Sequence, residues 1–212
     1  MEEYILNSNQ KRILKKIDFL KKSGFYLAGG TTLALQLGHR TSKDLDFYNL
    51  KSFKNQDIVS QFRKVFKSEI SEVRRAEDTL WLKVKSTDLS FFKYSYKLIQ
   101  PKVPYLSVNL ASMPDIAAMK IEAVIERGSK RDFVDIYYLM KKYGLEKILT
   151  FFRKKYPGVF NEQNCLHALL YFKDAETRQK DRARLYLYEN IDWKNIKRYI
   201  DNQVKEYQLN VL

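Results

Sequence analysis

Asp44 and Asp46 stand two positions apart, a short way beyond a small-residue corner at Gly29, Gly30 and Thr31. On a β-strand, residues two apart project from one face, so both carboxylates enter one space while Leu45 and Phe47 pack behind. Carboxylates that close repel each other, and a hard divalent cation relieves the repulsion. Mg²⁺ favours one or two carboxylates completed by phosphate oxygens and water. The glycine corner offers the other half of such a site. It follows a short apolar run and opens a helix, whose unpaired N–H groups and positive end suit phosphate. Alone, each half has an ordinary reading: a tight turn for the glycines, and neutralisation by Arg40 or Lys43 for the acids. Together they say more. The interval from Gly30 to Asp44 accommodates one short helix, a loop and the start of an adjacent strand, which can bring both halves to one end of a sheet. Metal-assisted nucleotidyl transfer needs this combination of phosphate held by backbone donors and acids that hold a cation.

The elements that must position these groups are legible from apolar spacing. Ile13, Leu14, Ile17 and Leu20 predict a helix from about Gln10 to Lys22, stopped by Gly24. Phe25 to Ala28 reads as a buried strand. Thr31 or Thr32 can cap a helix through Leu37, ended by Gly38, and Leu45 to Tyr48 is a further strand. Ile58, Phe62, Val65 and Phe66 predict a helix from Asn55 to Lys67. Thr79 to Lys85 alternates, and Asp88 to Tyr96 is aromatic and strand-like. Composition changes after Pro101 and Pro104. From Ser112, paired with Asp115 in a capping-box pattern, helices are predicted at 113–126, 130–142, 145–154, 161–172 and 192–208. The fold class is α+β, with a mixed α/β core over residues 1–110 and a helical part over 111–212.

Composition narrows the setting. Lys and Arg number 39 against 25 Asp and Glu, a net charge of +14, which suits either a polyanionic partner or a generally basic surface. No apolar run is long enough for a membrane span, and Met1-Glu2-Glu3-Tyr4 does not begin a signal peptide. The lone Cys165 leaves no internal disulfide, so a cytoplasmic location is expected. Cys165 and His167 lack zinc-site spacing, and His39 reads as a solvated loop residue.

The stretch "GGTTLALQLGHRTSKDLDFY" resembles the polymerase-β-like nucleotidyltransferase superfamily, whose signature is a Gly-Gly or Gly-Ser corner followed by Asp-x-Asp. Its Arg-x-Ser-x-Asp-x-Asp-Phe core, Arg40 to Phe47, is similar to the AbiEii/AbiGii-type toxin nucleotidyltransferases. A second block, "MKIEAVIERGSKRDFVDIYYLM", matches that family's lysine, arginines and Arg-Asp-x-x-Asp at Lys120, Arg127, Arg131, Asp132 and Asp135. The resemblance implies a polymerase-β-like mixed sheet with flanking helices, its active site completed by a helical domain. It implies nucleotide binding by Gly29, Gly30, Thr31, Arg40, Ser42 and Lys120, with Asp44 and Asp46 as metal ligands and Asp135 as a further site residue. One or two Mg²⁺ ions, a nucleoside triphosphate, an RNA acceptor such as a tRNA 3′ end, and a cognate antitoxin follow, in a toxin–antitoxin or phage-defence setting. Relatives tend to place a third acid where this chain has Ser90; Asp88, two residues earlier on the same strand face, is its candidate replacement. Spacing alone puts Lys120 and Arg127 on one helix face, where they can meet phosphate, and lets Arg131 pair with Asp135 or Asp132. The rival readings are a protein- or small-molecule-modifying enzyme of the same fold, and a silent nucleotide or RNA binder.

Overall fold

Alternating or fully apolar runs build most strands of the first half of the chain, and the strands pair into one mixed sheet. The computed structural model describes residues 1–177 and 186–211. They form two compact units, Met1–Ser112 and Met113–Leu212. The first contains β1 (Tyr26–Ala28), β2 (Leu45–Asn49), β3 (Ile70–Ala76), β4 (Thr79–Val84), β5 (Thr87–Lys93), β6 (Val103–Tyr105) and β7 (Val108–Leu110). Their order is β3-β4-β5-β2-β1-β7-β6. The pairs β2–β5 and β1–β7 are parallel, and the other neighbours are antiparallel.

One sheet face is the core. Leu27, Leu45, Phe47, Leu80, Leu82, Leu89 and Phe91 are buried there with residues from α1 (Ser8–Lys15), α2 (Asp18–Lys22) and α4 (Asn55–Phe66). Phe47 stacks on Phe91 at 5.2 Å, and Phe62 meets Phe91 edge-on. Each such side chain contributes about 1.5–3 kcal/mol by leaving water. The opposite face carries the alternate residues, Asp46, Tyr48, Ser90 and Phe92, which are only partly buried.

Three expectations are corrected. The predicted helix from Gln10 to Lys22 is two helices. Asn7 starts α1 early through a capping box with Gln10, and the chain leaves helical geometry at Lys16 and Ile17. That bend leaves Ile13, Leu14, Ile17 and Leu20 all fully buried. Next, α3 (Gly29–Leu37) begins at the glycines themselves and is not capped by Thr31 or Thr32. The Thr32 hydroxyl instead donates back to the Ala28 carbonyl at 2.9 Å, and Gly38, at φ 70°, ends the helix. Last, β3, β6 and β7 have no counterpart in the predicted elements. The first is a charged, mostly exposed strand without apolar alternation, and the other two are three residues each, one containing Pro104.

The second unit is helical: α5 (Met113–Glu126), α6 (Lys130–Tyr143), α7 (Leu145–Lys155), α8 (Glu162–Leu170), α9 (Lys173–Thr177) and α10 (Trp193–Val211). Only α9, a single short turn of helix, goes beyond the predicted set. Helix α5 packs on α6, α7 and α8. A buried ion pair between Lys155 and Asp115, 2.9 Å, ties α7 to α5. The chain is thus an α+β protein with a mixed sheet, flanking helices and a helical C-terminal part. Among the described residues, no helix is long and apolar enough to cross a membrane.

Candidate active site

Ala28 is the register partner of Asp46, so the turn from β1 into α3 lies directly beside the acid on β2. Gly29 makes that turn at φ +73°, and a Cβ there would stand 2.9 Å from Asp46 Oδ2. Both the left-handed backbone and the close approach require glycine. The Arg40 guanidinium lies over Gly30, in the space any side chain at that position would need. Arg40 is buried, and its Nη1 donates to the Thr41 carbonyl at 3.0 Å, so a fixed cation adjoins the corner.

The loop bearing Asp44 is held from two sides. The Thr31 hydroxyl, itself buried, donates to the Asp44 carbonyl and shares a 2.7 Å hydrogen bond with the Ser42 hydroxyl. From α1, Gln10 Nε2 donates to the Lys43 carbonyl at 2.9 Å. Thr31 and Ser42 therefore position the acidic loop. Gln10 escaped the sequence reading, although a polar residue on the apolar face of α1, three before Ile13, is the signal that could have found it. Asp44 is exposed and precedes β2, which begins at Leu45. Asp46 is half-buried on the strand. The strand begins at Leu45 as expected, so Asp46 lies on it and Asp44 stands at its entry.

Ser90 on β5 is the register partner of Asp46. Asp88 shares its face one pleat away, and its carboxylate lies 3.5 Å from Lys83 Nζ. Among the described residues no group of three His, Cys, Asp or Glu is gathered to hold a metal. The pair Asp44 and Asp46 still fits Mg²⁺, an ion that takes few protein carboxylates and fills its octahedron with phosphate oxygens and water. His39, which follows the left-handed turn at Gly38, proves buried rather than solvated. Cys165 is buried as well; burial first, then the Glu162 charge, push its thiol up to about 11, which keeps it protonated.

In the helical unit, the second motif block closes on itself. Lys120 Nζ donates to Asp132 Oδ1 at 2.8 Å and lies 2.7 Å from Asp135 Oδ2. Arg127, seven residues on, grips Asp132 with Nε and Nη2 at 2.8 and 2.9 Å, and the Ser129 hydroxyl donates to it at 2.6 Å. Asp132 and Asp135 are wholly buried, Lys120 nearly so, and Arg131 is exposed. Burial alone would raise the Asp132 carboxyl. The Lys120 charge and the Arg127 hydrogen bonds outweigh it and hold the group well below the usual carboxylate range.

The chain is similar to several known proteins. The family model described as "Nucleotidyl transferase AbiEii toxin, Type IV TA system" matches residues 12–97 and 87–206. The uncharacterised protein aq_aa25 of Aquifex aeolicus (strain VF5) is 35% identical over 211 residues, covering 95% of this chain and 97% of that protein. JHP933 from Helicobacter pylori shares the fold at TM-score 0.59 and 17% identity, with 100% of this chain and 98% of that chain covered. So does MenT4, the nucleotidyltransferase toxin Rv2826c from Mycobacterium tuberculosis H37Rv, at TM-score 0.63 and 13% identity, with 92% and 80% covered.

Proposed function

The chain belongs to the AbiEii family of nucleotidyltransferase toxins, and from that premise we propose that it transfers a nucleoside monophosphate from a triphosphate to the 3′ hydroxyl of an RNA, tRNA ends being the acceptor class. One observation carries the assignment of the site. The glycine corner abuts Asp46, with 2.9 Å between the carboxylate and the place of the absent Gly29 Cβ, so phosphates held at the corner lie against the acids.

In this reading the backbone of Gly29 and Gly30, with Arg40, holds the phosphates, while Thr31 and Ser42 fix the loop that presents Asp44. Asp44 and Asp46 would hold one or two Mg²⁺ ions. Bound there, Mg²⁺ would offset triphosphate charge and ease loss of the acceptor proton. The acceptor oxygen attacks the α-phosphorus in line and forms a new P–O bond. The bond to the bridging oxygen breaks, pyrophosphate leaves, and the hydroxyl proton passes to water. A phosphate role for Lys120 rests on the family likeness alone; within its own helical unit the ammonium is buried against Asp132 and Asp135. Asp135, wholly buried 2.7 Å from Lys120 Nζ, suits orienting that ammonium better than taking the acceptor proton. The net charge of +14 supports an RNA acceptor. A cognate antitoxin, a cytoplasmic location and a part in phage defence complete the proposal.

Incubation with each α-labelled nucleoside triphosphate, Mg²⁺, and total RNA or cell protein tests this. Label is expected in RNA. Label in protein or a small molecule would replace the acceptor, and triphosphate binding without transfer would leave a silent binder. The corner has its own test. Gly29→Ala forces a left-handed alanine against Asp46, a strain of about 1–3 kcal/mol that displaces the carboxylate, so the rate should fall roughly 10- to 100-fold. A Gly29→Ala rate equal to the parent's would remove the corner from the site.

A further inference from the structure

The sheet face that carries Asp46 continues outward as a row of register partners: Asp46 on β2, Ser90 on β5, Trp81 on β4 and Arg74 on β3. A second row beside it joins Asp88, Lys83 and Glu72. These outer residues line an open cavity of about 470 Å³. Trp81 is 41% exposed although its strand is flanked by strands on both sides, and its ring stands perpendicular to Phe92 with centroids 6.4 Å apart. The charged side chains pair among themselves: Arg74 with Glu72 at 3.2 Å, Lys83 with Glu72 at 3.9 Å and with Asp88 at 3.5 Å.

We propose that this cavity receives the 3′-terminal base of a single-stranded RNA acceptor, stacked on Trp81. The inference rests on the RNA-acceptor reading above and adds the place where that acceptor binds. Three observations support it. In-line transfer sets the attacking and leaving oxygens on opposite sides of the α-phosphorus. The phosphate corner lies on the β1 side of Asp46, so the attacking hydroxyl comes from the β5 side, over Ser90. Two strand spacings, about 10 Å, separate Asp46 from Trp81, within reach of the base that belongs to that hydroxyl. Finally, two cations balanced by two acids make a poor phosphate site, yet they offer donors and acceptors to a neutral base edge beside an exposed indole.

The chain has two tryptophans, Trp81 and Trp193, so a Trp193→Phe protein reports Trp81 alone. Trp193 lies on α10, in ring contact with Phe133 and Phe172 that phenylalanine preserves. A short single-stranded oligoribonucleotide with a free 3′ hydroxyl should quench its emission saturably, and a nucleoside triphosphate alone should not. In steady-state transfer, Trp81→Ala should raise the acceptor KM by roughly 10- to 100-fold and leave the triphosphate KM unchanged, while Trp81→Phe keeps most of the affinity. A rise in the triphosphate KM instead would give the cavity to the incoming nucleotide and overturn the proposal. So would an unchanged acceptor KM. If the parent protein labels only protein, the RNA reading fails on its own evidence. The titration then decides separately: quenching by the oligonucleotide sustains the base pocket, and its absence removes it.

Discussion

Asp46→Ala is expected to cut single-turnover nucleotide transfer by about 10³-fold or more, with the fold intact. The carboxylate sits on β2 between Leu45 and Phe47, whose side chains face the core and are untouched by the change. What is lost is one of two acids available to hold a cation over the triphosphate. Such a cation contributes several kcal/mol of transition-state stabilisation, and about 4 kcal/mol is a factor of about 10³. Saturating triphosphate separates this from a binding defect, and the thermal midpoint separates it from misfolding. An Asp46→Ala protein that transfers label at the parent rate would move the active site elsewhere.

Asp132→Ala should act on stability. The substitution removes the carboxylate that Lys120 and Arg127 share, but Lys120 keeps Asp135 at 2.7 Å and Arg127 is 56% exposed, so the cost is that of lost hydrogen bonds to a charged group, about 1–3 kcal/mol. In a chain of this length, that is a fall in thermal midpoint of roughly 5 °C. The pH dependence has a definite sign. Asp132 titrates lower in the folded protein than in the unfolded chain, so on acidification the unfolded state binds its proton first. Its stabilisation is complete above about pH 5 and drains away as pH falls below the ordinary value near 4 towards the depressed one. The gap between the parent and Asp132→Asn, measured by denaturant unfolding, should therefore narrow from pH 6 to pH 2.5. A gap that stays constant over that range would mean the carboxylate is not held ionised by its partners.

These two residues also mark the limit of what was legible beforehand. The chemistry of Asp46 could be read because the corner, the short helix and the acid are neighbours in sequence, and local spacing places them at one end of a sheet. Asp132 was harder. The spacing of Lys120, Arg127 and Asp132 is equally compatible with a phosphate site and with an internal lock. The choice depends on how α5 and α6 pack, and helical periodicity gives each helix's apolar face without its partner. The charged strand β3 lacks the alternation that reveals a strand. Its pairing with β4 supplies the missing evidence.

The order and type of most elements, the corner at Gly29 and Gly30, and the acids at Asp44 and Asp46 came from the amino-acid sequence by itself. Each depends on a backbone preference or a repeat within a dozen or so residues. Tertiary structure alone decided that Trp81 lies in one row with Asp46 and Ser90, and that Lys120 is buried between Asp132 and Asp135. Strand order and register join residues more than thirty positions apart. They are set by which whole faces must bury one another, and a shift of one residue would turn every side chain of a strand to the other face.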